Sequence, residues 1–248
     1  MIVLKSPREI ERMRSSCKIV AEILSLLSDR VKPGVTTIEL EEIALRETAK
    51  HNAKPAFKGY SNFPNALCCS PNKQVVHGIA NRVPLVPGDI LSLDFGVIFK
   101  GYYGDAAVTL PVGSVDNGVL KLLSVTRESL YKGIANALPG NRLYDISHSI
   151  QSYVESFGFS VVRDFVGHGI GKSLHEDPQI PNYGEPGKGL KLKPGMVFAI
   201  EPMINQGSHE VKVLSDGWTV ETVDGRLSAH FEHTVAITEN GPDILTRL

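Results

Sequence analysis

Four acids and two histidines stand at matched places in two consecutive passages of this 248-residue sequence. The first passage reads His77-Gly78-Ile79, Pro87-Gly88, Asp94, and then Asp105 with Val108. The second reads His168-Gly169-Ile170, Pro194-Gly195, Glu201, and then Glu232 with Val235. In both, the first acid lies six residues after the glycine and the second opens an acid-x-x-Val run. A duplicated fold that brings equivalent elements together about a local two-fold axis gathers the four carboxylates at one point. Like charges tolerate such crowding only around cations, so the chemistry expected here is that of a divalent metal site.

His168 sits in Gly167-His168-Gly169-Ile170-Gly171, where the glycines let the backbone turn sharply and approach something closely. With four acids in need of a further donor, His168 is expected as the fifth ligand. Four carboxylates and one imidazole make a hard, mostly oxygen donor set with charge enough for two divalent ions. That favours manganese, ferrous iron or cobalt over a structural zinc, although zinc remains admissible. Two bridged ions about 3.5–4 Å apart are the usual arrangement for splitting amides or esters with an activated water. His230 and His233 flank Glu232, but neighbours on a strand alternate faces, so both are expected as structural or surface residues.

The acids need rigid elements to hold them. Ile90–Val97 is apolar and strand-like, Lys100-Gly101 suits a tight turn, and Tyr102–Leu110 reads as the returning strand. With the turn there, position 94 lies opposite 107, and Asp105 becomes the diagonal neighbour of Asp94 on the same face. Glu201 ends the run Val197-Phe198-Ala199-Ile200, which is too apolar for an exposed strand; an unpaired carboxylate there costs several kcal/mol or takes up a proton. Upstream, Ser6-Pro7-Arg8-Glu9 starts a helix that Ile10, Met13, Cys17, Val20, Leu24 and Leu27 carry to about Asp29. Pro33-Gly34 breaks it, and Thr36-x-x-Glu39 opens a second helix toward His51. The second half repeats the order: Leu120, Leu123, Leu130, Ile134 and Leu138 form an apolar face, Pro139-Gly140 stops it, and Tyr144, Ile146, Ile150, Val154 and Phe157 carry the next helix to Gly158.

A composition of 42% hydrophobic and 21% charged residues without a low-complexity run fits one enzyme-sized unit, a single catalytic domain over 1–248 with pseudo-repeat halves at about 1–112 and 117–248. A net charge of −1 and no dense basic stripe exclude nucleic acid and anionic membrane as main partners. The N-terminus lacks a long apolar region and no run approaches a bilayer span, so a soluble, cytoplasmic protein is expected. Cys17, Cys68 and Cys69 neither pair evenly nor show a Cys-x-x-Cys spacing, which predicts reduced thiols. A monomer is the default expectation.

Together, His77, Asp94, Asp105, Gly167–Gly171, His175-Glu176-x-Pro178, Glu201-Pro202 and Glu232 resemble the bacterial type I methionine aminopeptidases, over essentially the whole chain. The resemblance implies an α+β architecture, the duplicated pita-bread fold, with a central antiparallel β-sheet covered by two pairs of helices and an internal pseudo-two-fold axis. It implies that Asp94, Asp105, His168, Glu201 and Glu232 hold two metal ions, that Asp105 and Glu232 bridge them, and that Glu201 is the general base. His175 then donates to the scissile carbonyl oxygen, and His77 contacts the peptide beyond the bond. Tyr60, Phe63, Cys68 and Trp218 match the family's methionine pocket, while Phe57, Phe63 and Leu174 depart from residues common in it. The implied substrate is the N-terminal methionine of nascent polypeptides with a small second residue, with transient ribosome association as a further implied contact. Two other functions fit the same residues: an X-Pro aminopeptidase or dipeptidase of this fold, against which the short N-terminus counts, and a non-catalytic binding protein, against which the full ligand set counts.

Overall fold

The computed structural model describes residues 2–247, so Met1 and Leu248 lie outside the described residues. Glu9 accepts hydrogen bonds from the Ser6 amide and hydroxyl while Ser6 Oγ accepts from the Glu9 amide, and this closed capping box starts α1, Pro7–Ser28. Glu39 accepts likewise from Thr36 at the start of α2, Thr37–Lys50. In the second half Asp116 caps α3, Asn117–Ala135, and Asp145 accepts from the Arg142 amide at the start of α4, Leu143–Glu155.

The buried face of the second helix pair matches the sequence expectation at Leu123, Leu130, Ile134, Ile146, Ile150 and Val154, while Leu120 and Leu138 are exposed and Val119, Leu122 and Val125 are buried in addition. Apolar residues at 119, 120, 122, 123 and 125 make a broad stripe on α3, of which packing against the sheet leaves only Leu120 outside. The helix also ends at Ala135, short of Pro139, and α4 ends before Phe157, which is exposed.

One antiparallel sheet positions the site. Its strands lie in the order Lys54–Pro55, Ile90–Phe99, Tyr102–Pro111, Glu232–Thr238, Val197–Ile200, Gly167–Gly169 and Glu176–Ile180, with Cys68–Pro71 also on Ile90–Phe99 and Gly241–Ile244 also on Glu232–Thr238. The halves therefore meet at Tyr102–Pro111 and Glu232–Thr238, and each half contributes one acid from that central pair and one from, or directly after, the strand beside it. Asp94 pairs with Ala107 and Gly96 with Asp105, the register anticipated from the turn. Lys100 (φ 50°) and Gly101 (φ 81°) both take the left-handed region, which a two-residue type I′ hairpin requires.

Few ladder bonds join the two central strands, and threonine hydroxyls bond across the same seam. Thr234 Oγ1 accepts from the Asp105 amide (3.1 Å) and donates to the Asp105 carbonyl (2.7 Å); Thr109 Oγ1 does the same for His230 (2.8 and 2.7 Å). Helices α1 and α2 bury Val20, Ile23, Leu27 and Leu40 against Leu91, Leu93 and Phe95; α3 and α4 bury Leu130, Ile146 and Ile150 in a second cluster with Phe198, Ile200 and Val235. Each such side chain contributes roughly 1.5–3 kcal/mol on burial, so both acid-bearing strand pairs are anchored from behind. No helix of the described residues is long and apolar enough to cross a membrane.

Candidate active site

Asp94 and Asp105 are diagonal neighbours on one face of the hairpin, and both line one cavity. Glu232 opens the adjoining central strand opposite Ala107, and Glu201 follows directly on Val197–Ile200. His168 comes from Gly167–Gly169, a short strand bulged at His168/Gly169. The sequence suggested a glycine-rich loop there; pairing with Val197–Ile200 and Glu176–Ile180 makes it a strand. Glycine at 169 is required because a Cβ would overlap the Asp177 carbonyl.

Asp105, His168 and Glu232 offer donor atoms that all lie within 4.8 Å of one another. His168 Nε2 is 3.5 Å from Glu201 Oε1, and Asp94 lines the same cavity. Asp105 and Glu232 are only 3% and 2% exposed. Asp94 Oδ1, Asp105 Oδ1 and Glu232 Oε1 are buried without a hydrogen-bond partner, and among the described residues no Lys or Arg forms an ion pair with any of the four acids. An isolated buried carboxylate is costly unless it is neutralised by a proton or a cation. Burial, before any other cause, pushes Asp94 up to about 7 and lifts Asp105, Glu201 and Glu232 well above the usual carboxylate range, with neighbouring acids adding to the last three. Burial also takes His168 down to about 3, keeping a neutral imidazole with a lone pair free to ligate. Orphaned oxygens, a neutral imidazole and the absence of competing cationic side chains fit divalent ions.

Two cavities meet at these residues. One, of about 140 Å³, is walled by Phe57, Tyr60, Phe63, Cys68, Leu174 and Trp218, with Ser61, which the sequence did not single out. Cys68 pairs directly with Asp94, so one strand register sets both the pocket wall and an acid. Phe63 and Trp218 meet edge to face at 5.1 Å. The other cavity, of about 500 Å³, runs past His77, Phe165, Gln179 and Met203. His77 and His175 border both.

His77 matches His168 in the repeat, but its ring packs edge-on to Phe165 and Trp218 (5.6 and 6.3 Å) and its backbone holds the left-handed region at φ 58°, a strained state for histidine. Burial lowers its pKa to about 4. His175 stacks edge-on to His168 at 4.3 Å, and its Nδ1 is 2.7 Å from the Tyr60 hydroxyl, a bond across 115 residues with no local sequence signal. His233 points away from the site, bonding Thr246 through Nδ1 and Tyr131 through Nε2. His230 is buried behind Glu201, its Nε2 3.7 Å from Oε2. Cys17, Cys68 and Cys69 are buried and unpaired.

This arrangement places an acid cluster fit for divalent ions between an apolar pocket sized for one side chain and an open groove, as cleavage next to a terminal residue requires. Known proteins agree. The signature of metallopeptidase family M24 matches residues 11–239. The chain is 56% identical to a methionine aminopeptidase of Clostridium perfringens, with 99% of each chain covered, and 56% identical to methionine aminopeptidase 1 of Bacillus subtilis over the full length of both. The crystal structure of methionine aminopeptidase from Thermotoga maritima superposes with a TM-score of 0.98 at 51% identity, covering 100% of both chains. A prolidase from Pyrococcus furiosus shares the fold, with a TM-score of 0.81 at 23% identity over 99% of this chain and 66% of its own. The chain belongs to metallopeptidase family M24 and, within it, to the methionine aminopeptidases.

Proposed function

We propose that this protein removes the N-terminal methionine of nascent polypeptides whose second residue is small, as a monomeric, cytoplasmic enzyme of one catalytic domain that meets the ribosome transiently. The observation that carries this reading is the junction of four acids, two buried and two half-buried, with an apolar pocket for a single side chain. In it, Asp94, Asp105, His168, Glu201 and Glu232 would hold two divalent ions, whose charge the four carboxylates would balance. Manganese, ferrous iron, cobalt or zinc, when bound, supplies Lewis acidity toward the scissile carbonyl and lowers the pKa of a water at the site.

The remaining roles belong to side chains of the chain. Glu201 takes the proton of the attacking water and passes it to the leaving amine. His175 Nδ1 is 2.7 Å from the Tyr60 hydroxyl; in the tautomer where Nδ1 accepts that bond, the ring proton stands on Nε2 and is donated to the carbonyl oxygen as negative charge develops. His77 contacts the peptide beyond the bond. Phe57, Phe63, Leu174 and Trp218 exclude water from the methionine side chain, and its flexible thioether rests against aromatic edges. Asp94→Ala and Glu201→Ala test the assignment: each is expected to abolish most methionine release and weaken manganese binding in calorimetry while the circular-dichroism spectrum stays native. Retained turnover, or loss of the fold, contradicts it.

A further inference from the structure

His175 hangs from the loop between Gly167–Gly169 and Glu176–Ile180, and one neighbouring side chain ties that loop together. Glu176 Oε1 accepts from the amides of Lys172 (2.8 Å) and Ser173 (3.2 Å), and Oε2 lies 2.5 Å from Lys5 Nζ. Lys5 stands 171 residues earlier in the chain, yet its side chain is only 5% exposed and that of Glu176 16%. Its backbone is fixed as well. The Lys5 amide donates to the Gly195 carbonyl at 2.7 Å, and a Cβ on Gly195 would stand 2.8 Å from the Lys5 carbonyl oxygen. Gly171 passes so close that a Cβ there would be 2.5 Å from Lys5 Cε and 2.6 Å from Glu176 Oε1.

Lysine is almost never buried this deeply unless paired, and a buried ion pair adds little net stability over apolar residues of the same volume. What the pair supplies is fixed geometry, and the geometry it fixes is one residue from His175. We propose that Lys5 is a positioning residue for the reaction: through Glu176 it holds the 170–175 loop, and so sets where His175 receives the scissile carbonyl oxygen. This rests on the role given to His175 above. A second tie between the same segments, Lys172 to Glu9 at 3.5 Å, has its lysine 69% exposed and serves as an internal control, because exposed pairs fix little.

The test compares kcat and KM on Met-Ala-Ser for manganese-loaded Lys5→Met, Glu176→Gln, Lys172→Ala, His175→Ala and the Lys5→Met/His175→Ala double variant, with manganese affinity measured for each. Methionine keeps the lysine stem's bulk, and glutamine keeps an acceptor for the loop amides while removing the charge. Lys5→Met and Glu176→Gln are each expected to lower kcat by about tenfold or more, with KM and manganese affinity nearly unchanged, and Lys172→Ala to stay within about twofold. In the His175→Ala background, Lys5→Met is expected to add less than about twofold, because both act through one side chain. In metal-free protein, Lys5→Met is expected to shift or broaden the His175 ring signals in NMR spectra. If Lys5→Met and Glu176→Gln keep wild-type kcat while His175→Ala loses it, the inference fails and the reading of His175 stands. Multiplicative losses in the double variant also overturn the inference, and if His175→Ala keeps wild-type kcat the reading itself fails. Should Lys5→Met not fold, Glu176→Gln decides.

Discussion

Removing divalent ions and then changing the pH isolates the electrostatics of the four acids. Burial moves Asp94 from 3.8 up to about 7 and lifts Asp105, Glu201 and Glu232 in the same direction. A carboxyl whose pKa is higher folded than unfolded contributes stability that is complete below the unfolded pKa and is lost as pH rises to the folded one. For Asp94 that window runs from about pH 4 to about pH 7. At 1.36 kcal/mol per pH unit, the metal-free protein loses on the order of 2 kcal/mol between pH 5 and pH 7 from this residue alone, and the other three acids act in the same sense. A bound divalent ion replaces the protons and removes the loss. In a chain of this size 1 kcal/mol moves Tm by roughly 2–4 °C, so the Tm difference between manganese-loaded and chelator-treated protein is expected to widen by roughly 4–8 °C from pH 5 to pH 7 through Asp94. Scanning calorimetry of both forms at pH 5, 6 and 7 measures it, and groups remote from the site titrate alike in both and cancel. A difference that stays constant or narrows refutes the account of a buried acid cluster awaiting cations.

Other consequences are local. Trp218→Ala is expected to raise KM for methionyl peptides by roughly tenfold, the worth of one lost pocket contact, with less change in kcat; an unchanged KM removes Trp218 from the pocket. Thr234→Val strips both partners from the buried Asp105 amide and carbonyl. Urea melts are expected to show a loss of about 2–3 kcal/mol and calorimetry a weaker manganese affinity, and a variant that binds manganese as tightly as the parent rules out the hydroxyl as the clamp on Asp105.

What the sequence made legible follows from how local its causes are. The Asp94/Asp105 register was readable because a two-residue turn and the alternation of side chains pin a hairpin with no help from elsewhere. The caps of α1 and α2 were readable because Ser6, Glu9, Thr36 and Glu39 act within one turn. The stripe of α3 was readable in part: Leu123, Leu130 and Ile134 are buried as expected, but its apolar run extends to Leu120, which packing against the sheet leaves exposed. The bulged strand at His168 was hidden for a related reason: glycine carries no strand preference, and partners about 10 and 30 residues away create the pairing. Within the site, the bond from Tyr60 to His175, the burial of His230 behind Glu201 and the pairing of Lys5 with Glu176 all join residues remote in sequence. Residue types named the chemistry, but only the fold shows which side chains hold the reacting groups in place.

The central claim is that the acid cluster and the apolar pocket act together on a terminal methionine. Metal-free protein reconstituted separately with manganese, ferrous iron and cobalt, and incubated with Met-Ala-Ser, Leu-Ala-Ser and Ala-Pro-Ser, tests it by the free amino acid released. Metal-dependent release of methionine, with little leucine or alanine, is the expected result. Preferential cleavage of Ala-Pro-Ser, or no release while ions are bound, contradicts it.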